Sequence, residues 1–175
     1  MFDDALLHRA QRVIAGCHRR GWSLATAESC TGGLIAGCLT AVPGASSVVA
    51  CGLVTYANSA KIALLGVPET LLATVGAVSA DVAAAMAEGA LRAMPGIDLA
   101  IAATGIAGPG GATPDKPVGR VYLGRAGQTL PTCTVGHTFP GDRAAVRTAT
   151  VAAALDLLLA VLEPEEALPA RSPRP

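Results

Sequence analysis

The stretch that most constrains this chain is Ala25-Thr26-Ala27-Glu28-Ser29-Cys30-Thr31-Gly32-Gly33. Ser23 to Ala27 has the small and β-branched residues of a buried strand, and Leu34 to Leu39 continues as an apolar helical run. The segment therefore reads as a strand feeding straight into a helix start. At the corner stand two side chains capable of acting as nucleophiles, Ser29 and Cys30, followed by Thr31, Gly32 and Gly33. A helix start offers unpaired backbone N–H groups and a partial positive charge, which suit a phosphate or a developing oxyanion. Glycine lets the backbone approach a ligand closely. The same residue types also suit a plain capped turn, and this stretch alone leaves both readings open.

The rest of the chain alternates in the same manner. Residues 4–20 predict an amphipathic helix with Leu6, Ala10, Val13 and Cys17 on one stripe, closed by Gly21. The helix after Ser29 is expected to reach about Ala41 and stop at Pro43-Gly44, and Val48 to Tyr56 reads as a buried strand. Short helices are expected from Asn58 to Gly66 and from Glu69 to Val75, then a longer one capped by Ser79 and ended by Pro95-Gly96. Ile97 to Ala103 is another buried strand, and Thr104 to Pro117 is too rich in glycine and proline for regular structure. Gly119–Gly124 and Thr132–Phe139 pair around a turn near Gly127. Asp142 then caps a last helix whose Val151, Leu155, Leu158 and Leu162 face inward. This order implies one α/β domain over residues 1–162, with helices sandwiching a mixed sheet, and a proline-rich disordered tail over 163–175.

Composition narrows the function. Thirteen basic and thirteen acidic residues cancel, and only 3% of the chain is aromatic. A nucleic-acid partner is not expected, because such binders carry a basic surplus or stacking aromatics. Mean hydropathy is +0.49, yet no uninterrupted apolar run reaches the roughly 18 residues of a membrane span. The acidic start Met1-Phe2-Asp3-Asp4 is unlike a signal peptide, so a cytoplasmic protein without a membrane partner is expected. Five cysteines with no CxxC spacing and three scattered histidines argue against a disulfide framework and against a metal site.

Four places invite chemistry: the Ser29 corner, Tyr56 to Lys61, the Thr104–Pro117 loop, and Gly141-Asp142-Arg143. The first three leave strand ends, where open α/β sheets bind ligands. Ser29 needs a base, and no histidine is well placed. Lys61 serves if burial or a neighbouring cation such as Arg143 keeps its amine neutral. Of the 13 basic residues only Lys61 and Lys116 are lysines, which favours a proton-transfer role at 61 over a surface charge. Tyr56 either relays the proton or packs its ring. Cys30 is the rival nucleophile, since a helix start lowers a thiol pKa, although a small buried hydrophobe is the commoner role. Glu28 either orients the site or, more commonly for such a residue, caps neighbouring backbone. The Gly105–Gly111 loop matches neither the Walker A nor the dinucleotide fingerprint. Arg143, in a first helical turn where cations are slightly disfavoured, pairs either with a substrate anion or with an acid such as Asp142.

Taken together, six motifs resemble the CinA C-terminal domain family, including its stand-alone nicotinamide-nucleotide amidohydrolases. They are Ala27–Gly33, Val54–Lys61, Gly76-Ala77-Val78-Ser79, Thr104–Gly111, Lys116-Pro117-Val118-Gly119 and Phe139–Arg143, in family order over roughly residues 4–160. The resemblance implies a three-layer α/β/α fold with a mixed, mostly parallel sheet, and a homo-oligomer, commonly a dimer. It implies hydrolysis of nicotinamide mononucleotide to nicotinate mononucleotide and ammonia, with no cofactor and no metal. Ser29 would be the nucleophile, Lys61 the base and Tyr56 a relay. Backbone N–H groups at Cys30 and Thr31, beside Gly32, would form an oxyanion hole. Thr104, Gly105 and Gly108 would shape the pocket, and Arg143 with Ser46 would hold the phosphate or nearby polar groups. Ala57 and Ser59 depart from the family's usual Ser and Glu. Larger CinA proteins carry a further N-terminal domain similar to molybdopterin-binding domains. With Met1 just before the first helix, the expectation is a chain without it. A non-catalytic nucleotide-binding or interaction module is the alternative.

Overall fold

A computed structural model describes residues 2–163, so the tail expected to be disordered lies, apart from Glu163, outside the described residues. Glu163 itself is ordered: its N–H donates to Leu159 O at 2.8 Å, and its carboxylate pairs with Arg12.

Helix α1 spans Asp4–Arg20, begun by the Asp3 carboxylate accepting from Leu6 N–H at 2.8 Å and ended by Gly21 in the left-handed region at φ 64°. Then come β1 (Leu24–Glu28), α2 (Leu34–Thr40), a 3-10 turn (Ala45–Ser47) and β2 (Val49–Val54). Helices α3 (Asn58–Leu65), α4 (Glu69–Val75) and α5 (Ala80–Ala93) follow. The second half holds β3 (Leu99–Gly105), β4 (Arg120–Gly127), β5 (Leu130–Thr138) and α6 (Arg143–Leu162). Ser79 and Asp142 cap α5 and α6 through their side chains.

The five strands form one sheet in the order β2-β1-β3-β4-β5. β1 pairs in parallel with β2 and β3, whereas the β3–β4 and β4–β5 pairings are antiparallel. Four strands thus point one way and β4 alone runs against them, a mixed and mostly parallel sheet. Helices α1, α2 and α6 cover one face with a core that includes Val13, Ile35, Leu39, Leu155 and Leu158. Helices α3, α4 and α5 cover the other with Leu65, Val82 and Met86. α6 has the length and apolar composition of a membrane span, but its Val146, Val151, Leu155 and Leu162 are spent in the core.

One expectation needs correcting. The sequence marks β2 as a buried strand, but it is an edge of the sheet, and its residues alternate between half-buried and exposed, Val54 reaching 50%. Its apolar run resembles an internal parallel strand because nothing in a local sequence marks which strand lacks a second neighbour.

Small residues set the layer spacing on the α5 side. A Cβ at Gly124 of β4 would fall 2.2 Å from Ala83 O, and one at Gly89 of α5 would fall 2.1 Å from Leu65 O. Helix α5 therefore lies directly on the sheet and directly against the end of α3, the helix that carries Lys61.

Candidate active site

All four chemical stretches meet at one end of the sheet. In the parallel register Glu28 faces both Val54 and Ala103, so β1, β2 and β3 finish level with one another. Antiparallel β4 starts there, β5 ends there, and α6 sets out from there. Ser29 leaves β1 with its N–H donating to Ala103 O at 2.9 Å.

Lys61 is 1% exposed, and its Nζ lies 3.0 Å from Ser29 Oγ, 2.9 Å from Thr55 O and 3.3 Å from Tyr56 O. This geometry fits the neutral amine. Nζ is placed to donate to all three oxygens, and in the neutral form two N–H bonds would serve the carbonyls while the lone pair would face the Ser29 hydroxyl. Burial pushes the Lys61 pKa below its ordinary value, while nearby Cys30 acts weakly in the opposite direction. No carboxylate pairs with Lys61 among the described residues.

Glu28 has no exposed surface and is the hub of the corner. Its carboxylate accepts from the N–H groups of Gly33, Ile35 and Ala36 at 3.0, 3.0 and 2.8 Å, and from the Thr26 hydroxyl at 3.1 Å. The start of α2 is therefore occupied by the protein's own anion and is not open to a ligand phosphate. In the turn before it, Ser29 N–H goes to Ala103 O and Gly32 N–H to Ser29 O. Cys30 and Thr31 N–H find no oxygen acceptor among the described residues and lie against the Cys30 sulfur, whose thiolate they favour. An oxyanion hole is built from backbone donors of this kind.

Cys30 is 5% exposed, and burial pushes its thiol up to about 11, a protonated and unreactive state at neutral pH. The cysteine-nucleophile reading loses its physical basis here, because the depressed pKa it needs is reversed by desolvation.

Arg143 donates from Nη1 to Gly108 O at 3.0 Å and from Nη2 to Tyr56 Oη at 2.9 Å, and its cationic end stays exposed beside the site. It pairs with no acid among the described residues, so the Asp142 alternative is not realised. Tyr56, 58% exposed, turns its hydroxyl to Arg143 and only its carbonyl to Lys61. Thr104 is 1% exposed and donates its hydroxyl to Ala77 O at 2.7 Å, pinning the loop before α5. At Gly105 a Cβ would meet Val121 Cγ2 at 2.7 Å, and at Gly108 it would meet Val118 Cγ1 at the same distance. The Thr104–Gly108 segment thus shapes the wall by close packing.

Ser46 does not join the others. It is exposed in the 3-10 turn that leads into β2, at the opposite end of the strands, in a surface depression with Thr40, Gly44 and Val49. Two participants were not anticipated. Thr55 supplies a carbonyl to Lys61, and Arg147 donates from Nη2 to Thr31 O at 2.8 Å. Arg147 stands one helical turn after Arg143, and that i, i+4 spacing was the available signal.

Comparison with known proteins identifies the family. The family model described as the CinA C-terminal domain matches residues 7–162. A CinA-like protein of Geobacter metallireducens is 58% identical over 139 residues, covering 79% of this chain and 33% of that protein. A putative competence-damage inducible protein of Symbiobacterium thermophilum is 52% identical, covering 83% of this chain and 35% of that protein. The chain thus spans about a third of these relatives' length. Among solved structures, the competence/damage inducible protein CihA from Agrobacterium tumefaciens superposes with a TM-score of 0.89 at 43% identity, covering 92% of this chain and 98% of that one. A CinA superfamily protein from Klebsiella pneumoniae gives 0.85 at 35% identity over 90% and 97%.

Proposed function

We propose that this chain, which belongs to the CinA C-terminal domain family, is a serine–lysine amidohydrolase that converts nicotinamide mononucleotide to nicotinate mononucleotide and ammonia. The observation that carries the reading is the 3.0 Å approach of Ser29 Oγ to a lysine amine with 1% exposure and no acidic partner among the described residues.

Lys61 takes the Ser29 proton as Oγ bonds to the carboxamide carbon. The carbonyl oxygen becomes an oxyanion held by the N–H groups of Cys30 and Thr31. In other enzymes such a donor is worth roughly 2.7–4 kcal/mol. As the C–N bond breaks, Lys61 returns the proton to departing ammonia. Water then attacks the acyl-serine and gives its proton to Lys61. The C–Oγ bond breaks, Ser29 regains its proton, and the carboxylic acid leaves. The positive charge of the pyridinium ring makes the carboxamide carbon more electrophilic. Arg143, exposed and held by Gly108 O and Tyr56 Oη, is the cation available for the substrate's phosphate. The protein is proposed to work in the cytoplasm as a homodimer.

Ammonia release from nicotinamide mononucleotide, followed for wild type, Ser29→Ala and Lys61→Ala, tests this. Wild-type release with a loss of at least ~10³-fold in both variants is expected for residues acting as one unit. Near wild-type activity of Ser29→Ala would falsify the nucleophile assignment. A silent wild type that is still stabilised thermally by the nucleotide would favour the non-catalytic binding module.

A further inference from the structure

The Ser29–Gly33 turn is held from beneath by Glu28 through α2, but a second restraint reaches it from α6. Arg147 is half-buried, donates from Nη2 to Thr31 O at 2.8 Å, and leaves its Nε buried with no partner among the described residues. A Cβ at Gly32 would lie 3.5 Å from the same Nη2. The guanidinium therefore covers the peptide that joins Thr31 to Gly32. No acid neutralises it among the described residues, and the nearby Glu28 carboxylate already accepts four hydrogen bonds.

Thr31 contributes to this turn in two ways. Its N–H is one of the two donors with no oxygen acceptor among the described residues, while its carbonyl is the atom that Arg147 grips. Leu34 N–H, the other group near that carbonyl, is at a long 3.4 Å. Without the guanidinium the Thr31 peptide would be restrained on one side only, and the two donors would have to be reordered in each transition state.

From this geometry we propose that Arg147 is a positioning residue. By gripping Thr31 O it locks the turn that presents Cys30 and Thr31 N–H to the developing oxyanion, and its uncompensated charge favours that oxyanion. The proposal rests on the serine-nucleophile reading but not on the identity of the substrate.

A fluorophosphonate probe separates the two. Its phosphorus forms a bond to Ser29 Oγ, fluoride leaves, Lys61 takes the hydroxyl proton, and the phosphoryl oxygen occupies the oxyanion position. Intact-mass labelling rates are compared for wild type, Arg147→Ala, Arg147→Lys and Ser29→Ala, with melting curves for each and nicotinamide mononucleotide kinetics alongside. The expected result is labelling of wild type and none of Ser29→Ala. Arg147→Ala should label at least tenfold slower, and Arg147→Lys, which can still donate to the carbonyl, should fall between them. In turnover, kcat should fall with KM within about twofold, since the lost interaction acts only in the transition state. Should Arg147→Ala be poorly folded, the Lys variant decides, for it must be slowed while melting as wild type does. Unchanged labelling overturns the proposal. So does a raised KM with unchanged kcat, which would make Arg147 a substrate-anion contact. Labelling without turnover overturns only the proposed substrate, whereas a wild type that takes no label removes the serine reading and this inference with it.

Discussion

At the scale of single residues, the proposed chemistry turns on one lysine. Its amine is surrounded by two carbonyls and a hydroxyl, and burial lowers its pKa from the ordinary 10.5. Only the deprotonated amine can take the Ser29 proton. The rate should therefore rise with pH as one group titrates below 10.5, then level off. Arginine cannot deprotonate in this range, so Lys61→Arg should lose the activity and with it the rising limb. A pH–rate profile for each checks this, and a wild-type rate with no rising limb at any pH below 10.5 where the protein stays folded would rule out Lys61 as base. Ser29 and Lys61 were legible in the sequence because their types are rare in combination: a hydroxyl at a glycine corner, and a lysine in a chain that otherwise prefers arginine. The direction of the Cys30 pKa was not legible, because it depends on a burial that the whole fold decides. Ser46 was misplaced for a similar reason, since a serine in a loop says nothing about which end of the sheet the loop occupies.

Among the elements, α2 and α3 do the positioning, and each is fixed by a buried neighbour. The Gly33, Ile35 and Ala36 amides that rest on Glu28 at the start of α2 have no other acceptor among the described residues. Glu28→Ala would strand them and the Thr26 hydroxyl in a dry site. Each unpaired buried group costs about 1–3 kcal/mol, so a loss of roughly 3 kcal/mol or more is expected after partial rescue by water. Denaturant unfolding with an unchanged slope would measure it. A second test concerns the α3–α5 contact. Gly89→Ala gains about 1 kcal/mol of helix propensity, but its Cβ would meet Leu65 O at 2.1 Å. Helix α3 must then move away, carrying Lys61 from Ser29. Because the contact is with backbone, the clash should win by about 1–3 kcal/mol, and activity should fall further than stability. Turnover measured at a temperature where the variant is still fully folded would separate the two effects. The helices and most strand ends were legible from capping residues, glycines and apolar periodicity. Which face of α5 approaches α3, and that β2 is an edge, are facts of three-dimensional neighbourhood that local patterns do not carry.

The molecule as a whole bears the cost of its candidate site. Between the lowered folded pKa of Lys61 and its unfolded value near 10.5, the unfolded chain binds more protons than the folded one. Stability contributed at this residue therefore rises with pH across that window, and below it the penalty of burying a protonated amine is fully present. Replacement by an apolar residue of similar length should remove the penalty, so Lys61→Met should be more stable than wild type at neutral pH. Absolute stability will not show this plainly, because the cysteines titrate the opposite way. Burial raises Cys17 and Cys38 from 9.0 to about 11, so their stabilisation is complete below pH 9 and is lost as pH rises to about 11. At one pKa unit per 1.36 kcal/mol, each loss is on the order of 2–3 kcal/mol. Wild type should therefore weaken in alkali even as its lysine penalty fades. The informative quantity is the difference in unfolding free energy between Lys61→Met and wild type at matched pH, in which the Cys17 and Cys38 contributions cancel. That difference should be positive at pH 7 and shrink towards a constant above pH 10.5. A difference that stays level from pH 7 to 11 would mean that the amine keeps its ordinary pKa inside the fold, and would take away the neutral lysine on which the catalytic reading depends.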